Sequence, residues 1–222
     1  MSARPAGRGF REPVNAGTHL AGAVVAAVAT AALALLARDR PLAQAAFLVF
    51  GASSVALFGA STLLHAVWAG PRLERWLRRL DHGAIYLLIA GSYTPVTLVA
   101  VRPVNPALAW WLFGLAWLLA ALGLVFKAFW LGAPRWLSTA LYVGMGWLVV
   151  VALGPVARAL GPANLTWLVL GGAFYTVGAV VYATKRPRLV PGVFGFHELW
   201  HLFVLAGWGC HLVMMLRLAA AV

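Results

Sequence analysis

Seven apolar stretches follow one another along this chain, each near or above the roughly 20 residues a helix needs to cross the hydrocarbon core of a bilayer. Their hydrophobicity is continuous rather than alternating, so backbone groups in lipid are satisfied by helices and not by a closed barrel. The spans are expected at 16–37, 42–68, 81–101, 106–127, 136–154, 163–183 and 193–218. Residues are 63% hydrophobic and 10% charged, a balance for which no soluble fold of this length has enough interior. The expected fold class is therefore all-α, a polytopic membrane protein built as a seven-transmembrane-helix bundle. It forms one domain over residues 1–222, with residues 1–13 as a short basic tail.

The breakers agree with this division. Pro41, Pro71, Pro103, Pro106, Pro134, Pro155, Pro162, Pro187 and Pro191 mostly fall between spans, where helices stop. Glycines inside the spans, such as Gly114, Gly123, Gly171 and Gly178, let helices approach closely where lipid supplies no hydrophobic drive between them. Tryptophans at span ends, among them Trp68, Trp76, Trp110 and Trp136, suit the membrane interface. The first apolar run is too long for a signal peptide and lacks a cleavage site, so the tail reads as retained. A single cysteine, Cys210, excludes an intrachain disulfide and any multi-cysteine metal site.

The net charge of +12 does not require nucleic acid, because its distribution has another meaning. Arg4, Arg8, Arg11, Arg72, Arg75, Arg78, Arg79, Lys127, Arg135, Lys185, Arg186 and Arg188 fall on one side of the expected topology. Arg38, Arg40, Arg102, Arg158 and Arg217 fall on the other, twelve against five. The positive-inside rule then places the N-terminus in the cytoplasm and the C-terminus outside. Membrane lipids are the expected partners. No nucleic-acid or obligate protein partner is called for, and the oligomeric state is left open.

Within this topology the unusual polar residues share one depth. Glu12, Asn15 and His19 lie at the inner start of the first span, and Ser61 and His65 near the inner end of the second. Asp81 and His82 open the third, and His197, Glu198 and His201 open the seventh. Ionisable groups are rare inside spans, and scattered ones would have no reason to choose one level. His197-Glu198-Leu199-Trp200-His201 is an H-E-x-x-H whose two imidazoles, four residues apart, lie on one helix face. His65 supplies a third, and three imidazoles with an open position make the usual catalytic zinc shell. Asp81 is then a base or an orienting group and Ser61 a hydrogen-bond donor. Glu198 is either the general base, as in soluble zinc peptidases, or a supporting residue. Glu12, Asn15, His19 and His82 are supporting candidates, and each of these groups has a plain helix-packing or capping alternative. His211 lies about 15 Å further along the last helix than His201, too deep for the same metal.

Four motifs together, Glu12-x-x-Asn15-x-x-Thr18-His19, Ser61-x-x-x-His65, Asp81-His82 with Ile89-Ala90-Gly91-Ser92-Tyr93-Thr94-Pro95, and Phe196-His197-Glu198-x-x-His201, resemble the bacterial hemolysin III family. That family is related to the progestin and adiponectin receptors and to alkaline ceramidases, within the CREST group of membrane hydrolases. The resemblance implies a seven-helix bundle with a cytoplasmic N-terminus, zinc on His65, His197 and His201, and Asp81 and Ser61 beside it. The additional N-terminal domain of the receptor relatives has no counterpart here, so hormone reception is not implied.

The expected function is that of a zinc-dependent hydrolase acting on a membrane lipid, an amide such as a ceramide-like molecule or an ester, with a role in lipid homeostasis. The alternatives are a non-catalytic sensor of membrane state with structural zinc, a hemolysin-like or channel-like protein, and an intramembrane metalloprotease. The last lacks a later acidic ligand motif. No amphipathic pore-forming segment supports a channel.

Overall fold

A computed structural model describes residues 9–187, 189–191 and 193–222. Arg4, Arg8 and Arg188, counted above among the basic residues of one side, and the first part of the 1–13 tail lie outside the described residues. The described residues form an all-helical bundle without a β-strand, apart from one isolated bridge between Val190 and Phe194. The helices are α1 (Pro13–Leu36), α2 (Pro41–Ala66), α3 (Pro71–Pro95), α4 (Pro106–Phe129), α5 (Arg135–Gly146), α6 (Leu153–Thr184) and α7 (Phe196–Ala219). Proline opens α1, α2, α3 and α4, where its missing N–H lies among the donors a helix start leaves unpaired anyway.

Six helical runs are long and apolar enough to cross a membrane among the described residues, against seven expected stretches. The difference lies in Arg135–Thr184, where two expected stretches form one continuous run. That run is α5, a 3₁₀ segment Trp147–Ala152, and α6, and it breaks at Gly161, whose φ of 69° is a left-handed value that glycine adopts without strain. Pro162 follows and removes a helical donor at the same point. A second difference is that α3 starts at Pro71 rather than near 81. The arginine-rich residues ahead of Asp81 fall outside an apolar window, but arginine and leucine are good helix formers and Glu74 pairs with Arg78 one turn on, at 2.7 Å.

Helix α1 packs along α2, α2 along α3 and α6 along α7, and α7 also returns against α1. Small residues set the closest approaches. A Cβ on Gly207 would stand 3.0 Å from the Gly171 carbonyl oxygen, and one on Gly171 would stand 3.0 Å from that of Gly207, so α6 and α7 touch backbone to backbone. Beyond Pro95, α3 continues as a π-helical segment, Val96–Val101, as is common where a helix loses a regular hydrogen bond. The 3₁₀ segment between α5 and α6 is tied to α3 by one side chain: the Tyr93 hydroxyl donates to the Gly146 carbonyl at 2.8 Å and accepts from the Val149 N–H at 2.8 Å.

Candidate metal centre

The ends of several helices meet around a cavity of about 760 Å³. Its wall includes Glu12 and His19 from the α1 end, Ser61 and His65 from α2, Asp81 and His82 from α3, and His197 and His201 from α7. Asn15 stands behind this wall and Glu198 is turned away from it. Asp81 lies well inside α3, which starts at Pro71, so its carboxylate does not cap the helix.

His65, His197 and His201 come together so that one ligand atom from each lies within 4.8 Å of the others. His65 and His201 are buried and His197 is partly so. The i,i+4 register of α7 puts His197 and His201 on one face, with ring centroids 5.0 Å apart, and the last turn of α2 brings His65 to 5.1 Å and 4.9 Å from them. Nitrogen ligands on a tetrahedral ion stand roughly 3.4 Å apart, so modest side-chain rotations would let this triad hold a metal ion. His201 Nδ1 is a buried nitrogen without a hydrogen-bond partner among the described residues.

His65 is oriented from behind. Its Nδ1 donates to Glu12 Oε2 at 2.7 Å, which leaves the Nε2 lone pair for the interior of the triad. The Glu12 N–H donates to the His65 carbonyl at 2.9 Å, fixing the chain just before α1 against the end of α2. The hydrogen bond from His65 holds the Glu12 carboxyl down at about 2, with Asn15 and Arg11 assisting against partial burial. Arg11 reaches Glu12 Oε1 at 3.1 Å.

Asn15 is 1% exposed and joins two carboxylates, its Nδ2 donating to Glu12 Oε2 and to Glu198 Oε1, both at 3.0 Å. Glu198 is the third residue of α7, and its Oε2 accepts from the Gly195 N–H at 2.8 Å, as in a capping box. Both oxygens of Glu198 are therefore engaged away from the cavity. His19 stacks on His201 with centroids 3.8 Å apart, and neither of its ring nitrogens has a partner among the described residues. Ser61 is buried with its hydroxyl facing the Asp81 carboxylate, and His82 Nε2 lies 3.9 Å from Asp81 Oδ2. His211 is not in this cluster. It lines the far part of the cavity, with Nε2 3.3 Å from the Leu168 carbonyl.

Several cavity residues were not singled out in the sequence. Lys127 is 2% exposed and bonds to the Ser138 hydroxyl, and the Tyr142 hydroxyl donates to the His82 carbonyl at 3.1 Å. Lys127 gave one signal, a cation just inside the end of an apolar run, which also fits an ordinary interfacial lysine.

Residues 9–212 match the family described as haemolysin-III related. The chain is 40% identical over 198 residues to "Hemolysin-3" of Bacillus cereus, covering 88% of this chain and 86% of that one. It is 37% identical over 198 residues to "Hemolysin-3 homolog" of Bacillus subtilis (strain 168), covering 88% of each. "Heptahelical transmembrane protein 5" of Arabidopsis thaliana is 29% identical over 187 residues, covering 76% of this chain and 48% of that protein.

Proposed function

The chain belongs to the haemolysin-III related family of integral membrane proteins, and on that premise we propose that it is a zinc-dependent hydrolase of a membrane lipid amide or ester. The observation that carries this reading is the His65, His197 and His201 triad on the same cavity wall as Ser61 and Asp81. His65, His197 and His201 would hold the ion, a donor set that suits zinc. Zinc in such a shell polarises a carbonyl and lowers the pKa of water towards neutrality. Asp81 takes the proton of the attacking water on its carboxylate, and Ser61 Oγ donates to the substrate carbonyl oxygen as negative charge develops. Glu12 keeps the His65 ring in its tautomer and orientation, and Glu198 is assigned to holding α1 and α7 in place.

In this reading the chain crosses the membrane seven times, with the N-terminus in the cytoplasm of a bacterium and the C-terminus outside. A fifty-residue run would span about 75 Å as straight helix, more than twice a bilayer core, and the break at Gly161 and Pro162 supports reading it as two crossings. Substrate enters from the inner leaflet.

The test is elemental analysis and lipid turnover on the purified wild type beside His65→Ala, His201→Ala and Asp81→Asn. The histidine variants lose zinc, whereas Asp81→Asn keeps zinc and loses turnover. Full zinc occupancy in both histidine variants sinks the centre as drawn. A zinc-loaded wild type that releases no fatty acid from a broad panel of lipid amides and esters sinks the hydrolase. A second reading is that the ion is structural: on His65, His197 and His201 it would tie the end of α2 to the start of α7, two helices that also meet where the Trp208 indole N–H donates to Ser54 Oγ at 2.8 Å. Chelation that lowers the unfolding temperature of a protein without turnover would favour that structural role.

A further inference from the structure

The wall of the cavity carries positive charge that the chain does not neutralise. All five acidic side chains are among the described residues, and none of them pairs with Lys127 or Arg135. Glu12 serves His65 and Arg11, Glu74 serves Arg11 and Arg78, and Asp39 pairs with Arg38. Asp81 faces Ser61 and His82, and Glu198 serves Asn15 and Gly195. Lys127 and Arg135 line the cavity without a carboxylate partner among the described residues.

Neither cation is placed by accident. Lys127 is 2% exposed at the end of α4, and its ammonium hydrogen-bonds to Ser138 Oγ alone among the described residues, with the Phe126 ring 5.1 Å away, which leaves other donors unused. Arg135 opens α5 one turn before Ser138, so both reach the same side of that helix. Its guanidinium lies over the adjoining rings of Tyr182, at 4.6 Å, and Phe196, at 5.3 Å, with one N–H on the Tyr182 carbonyl at 3.4 Å. An ammonium buried without a counterion is costly, and a planar guanidinium fork on the same cavity wall suits multi-oxygen anions. From this end the cavity continues between apolar side chains, among them Ile89, Leu168, Val169 and Met214.

We propose that Lys127, Arg135 and Ser138 form a phosphate subsite, and that the lipid handled by this protein is a single-chain amphiphile with a phosphate-monoester head. The subsite supplies two positive charges and several unspent donors, and a phosphate monoester brings close to two negative charges and three acceptor oxygens. A neutral head would leave both cations uncompensated, and a single carboxylate would neutralise only one. The volume of about 760 Å³ lies in the range of sites for ligands of this size, with the chain along the apolar wall. The assignment of the amphiphile as substrate rests on the hydrolase reading. One water is then consumed, the acyl C–N or C–O bond breaks, and a fatty acid and a phosphate-bearing amine or alcohol leave.

The experiment measures binding and does not depend on turnover, so its failure and that of the hydrolase reading are separable. Zinc-loaded full-length protein in neutral detergent is titrated by native mass spectrometry with hexadecyl phosphate, hexadecanol and inorganic phosphate. Hexadecyl phosphate is expected to bind about tenfold or more tightly than hexadecanol. Lys127→Met and Arg135→Gln reduce that preference to about threefold or less, with zinc content and hexadecanol binding unchanged, and Lys127→Arg retains it. If Lys127→Met loses its zinc and its fold, Arg135→Gln decides. Equal affinities in the wild type, or a preference that survives in Arg135→Gln, overturns the subsite. Inorganic phosphate that displaces hexadecyl phosphate mole for mole overturns the lipid as its ligand.

Discussion

Substituting Glu12 by glutamine removes the charge behind His65 and keeps an oxygen in its place. The hydrogen bond from Nδ1, 2.7 Å long, changes from charge-assisted to neutral. Bonds to charged groups contribute about 1.5–3 kcal/mol and neutral ones about 0.5–1.5 kcal/mol, a nominal difference of about 1–1.5 kcal/mol. The Glu12 side chain is 39% exposed, so solvent screening reduces this to about 0.7–1 kcal/mol, or roughly three- to fivefold in the zinc dissociation constant. Glu12→Ala goes further, because the His65 side chain, 4% exposed, then has a buried ring nitrogen without a partner. Loss of such an orienting group weakens metal binding by about 10- to 100-fold. Competition against a chelating fluorophore measures both constants. Wild-type affinity in both variants would refute the orienting role of Glu12. Equal losses in the two would refute the separation of charge from shape.

The pH dependence follows from the same contact. The folded-state pKa of Glu12 is depressed from 4.5 to about 2, so its contribution is complete above about pH 4.5 and is lost as the pH falls towards 2. The ratio of Glu12→Gln to wild-type affinity should therefore stay constant between about pH 8 and 5.5. A ratio that drifts in this window would show that another group controls the carboxylate.

Glu198→Gln should keep zinc and turnover within about threefold, whereas Glu198→Ala loses the α7 cap and the Asn15 bond and destabilises the fold by about 1–2 kcal/mol. Abolished turnover with zinc intact in Glu198→Gln would return to this residue the role of base. Gly207→Ala puts a Cβ 2.8 Å from the Tyr175 ring and 3.0 Å from the Gly171 carbonyl oxygen, an overpacking expected to destabilise by about 1–3 kcal/mol. An unchanged unfolding midpoint would mean that α6 and α7 can separate freely. Tyr93→Phe leaves the buried Val149 N–H without its acceptor and should lower the unfolding temperature, an effect of about 1–3 kcal/mol. Wild-type stability would show that the 3₁₀ segment needs no tie to α3.

The gathering of His65 with His197 and His201 was legible because depth in a bilayer follows from position along a span, and helical spacing fixes which residues share a face. Those two rules do not report rotation of one helix against another. They could not show that Glu198 turns back to its own helix start, nor that Asn15 bridges it to Glu12. The polar level at the start of the first span was visible, but the direct pairing of Glu12 with His65 depends on the turn between Arg11 and α1, where no periodicity applies. The helix ahead of Asp81 was missed for a different reason: an apolar window reports the solvent of a segment, whereas its backbone conformation is set by propensity and local ion pairs. Lys127 illustrates the same gap. Its sequence context is that of an interfacial lysine, and only the fold, which buries it and brings the Ser138 hydroxyl to its ammonium, shows that this ammonium is enclosed.

The pairing of the first helix with the last has a consequence for biosynthesis. Glu12, Asn15 and His65 emerge from the ribosome at least 132 residues ahead of His197 and His201. A nascent chain can therefore form the Glu12 and His65 contact while two of the three imidazoles are still unsynthesised. On the proposed metal reading the three-histidine shell would be complete only once α7 has been made, and chains truncated before α7 would lack two of its imidazoles and one of the two carboxylates that Asn15 joins.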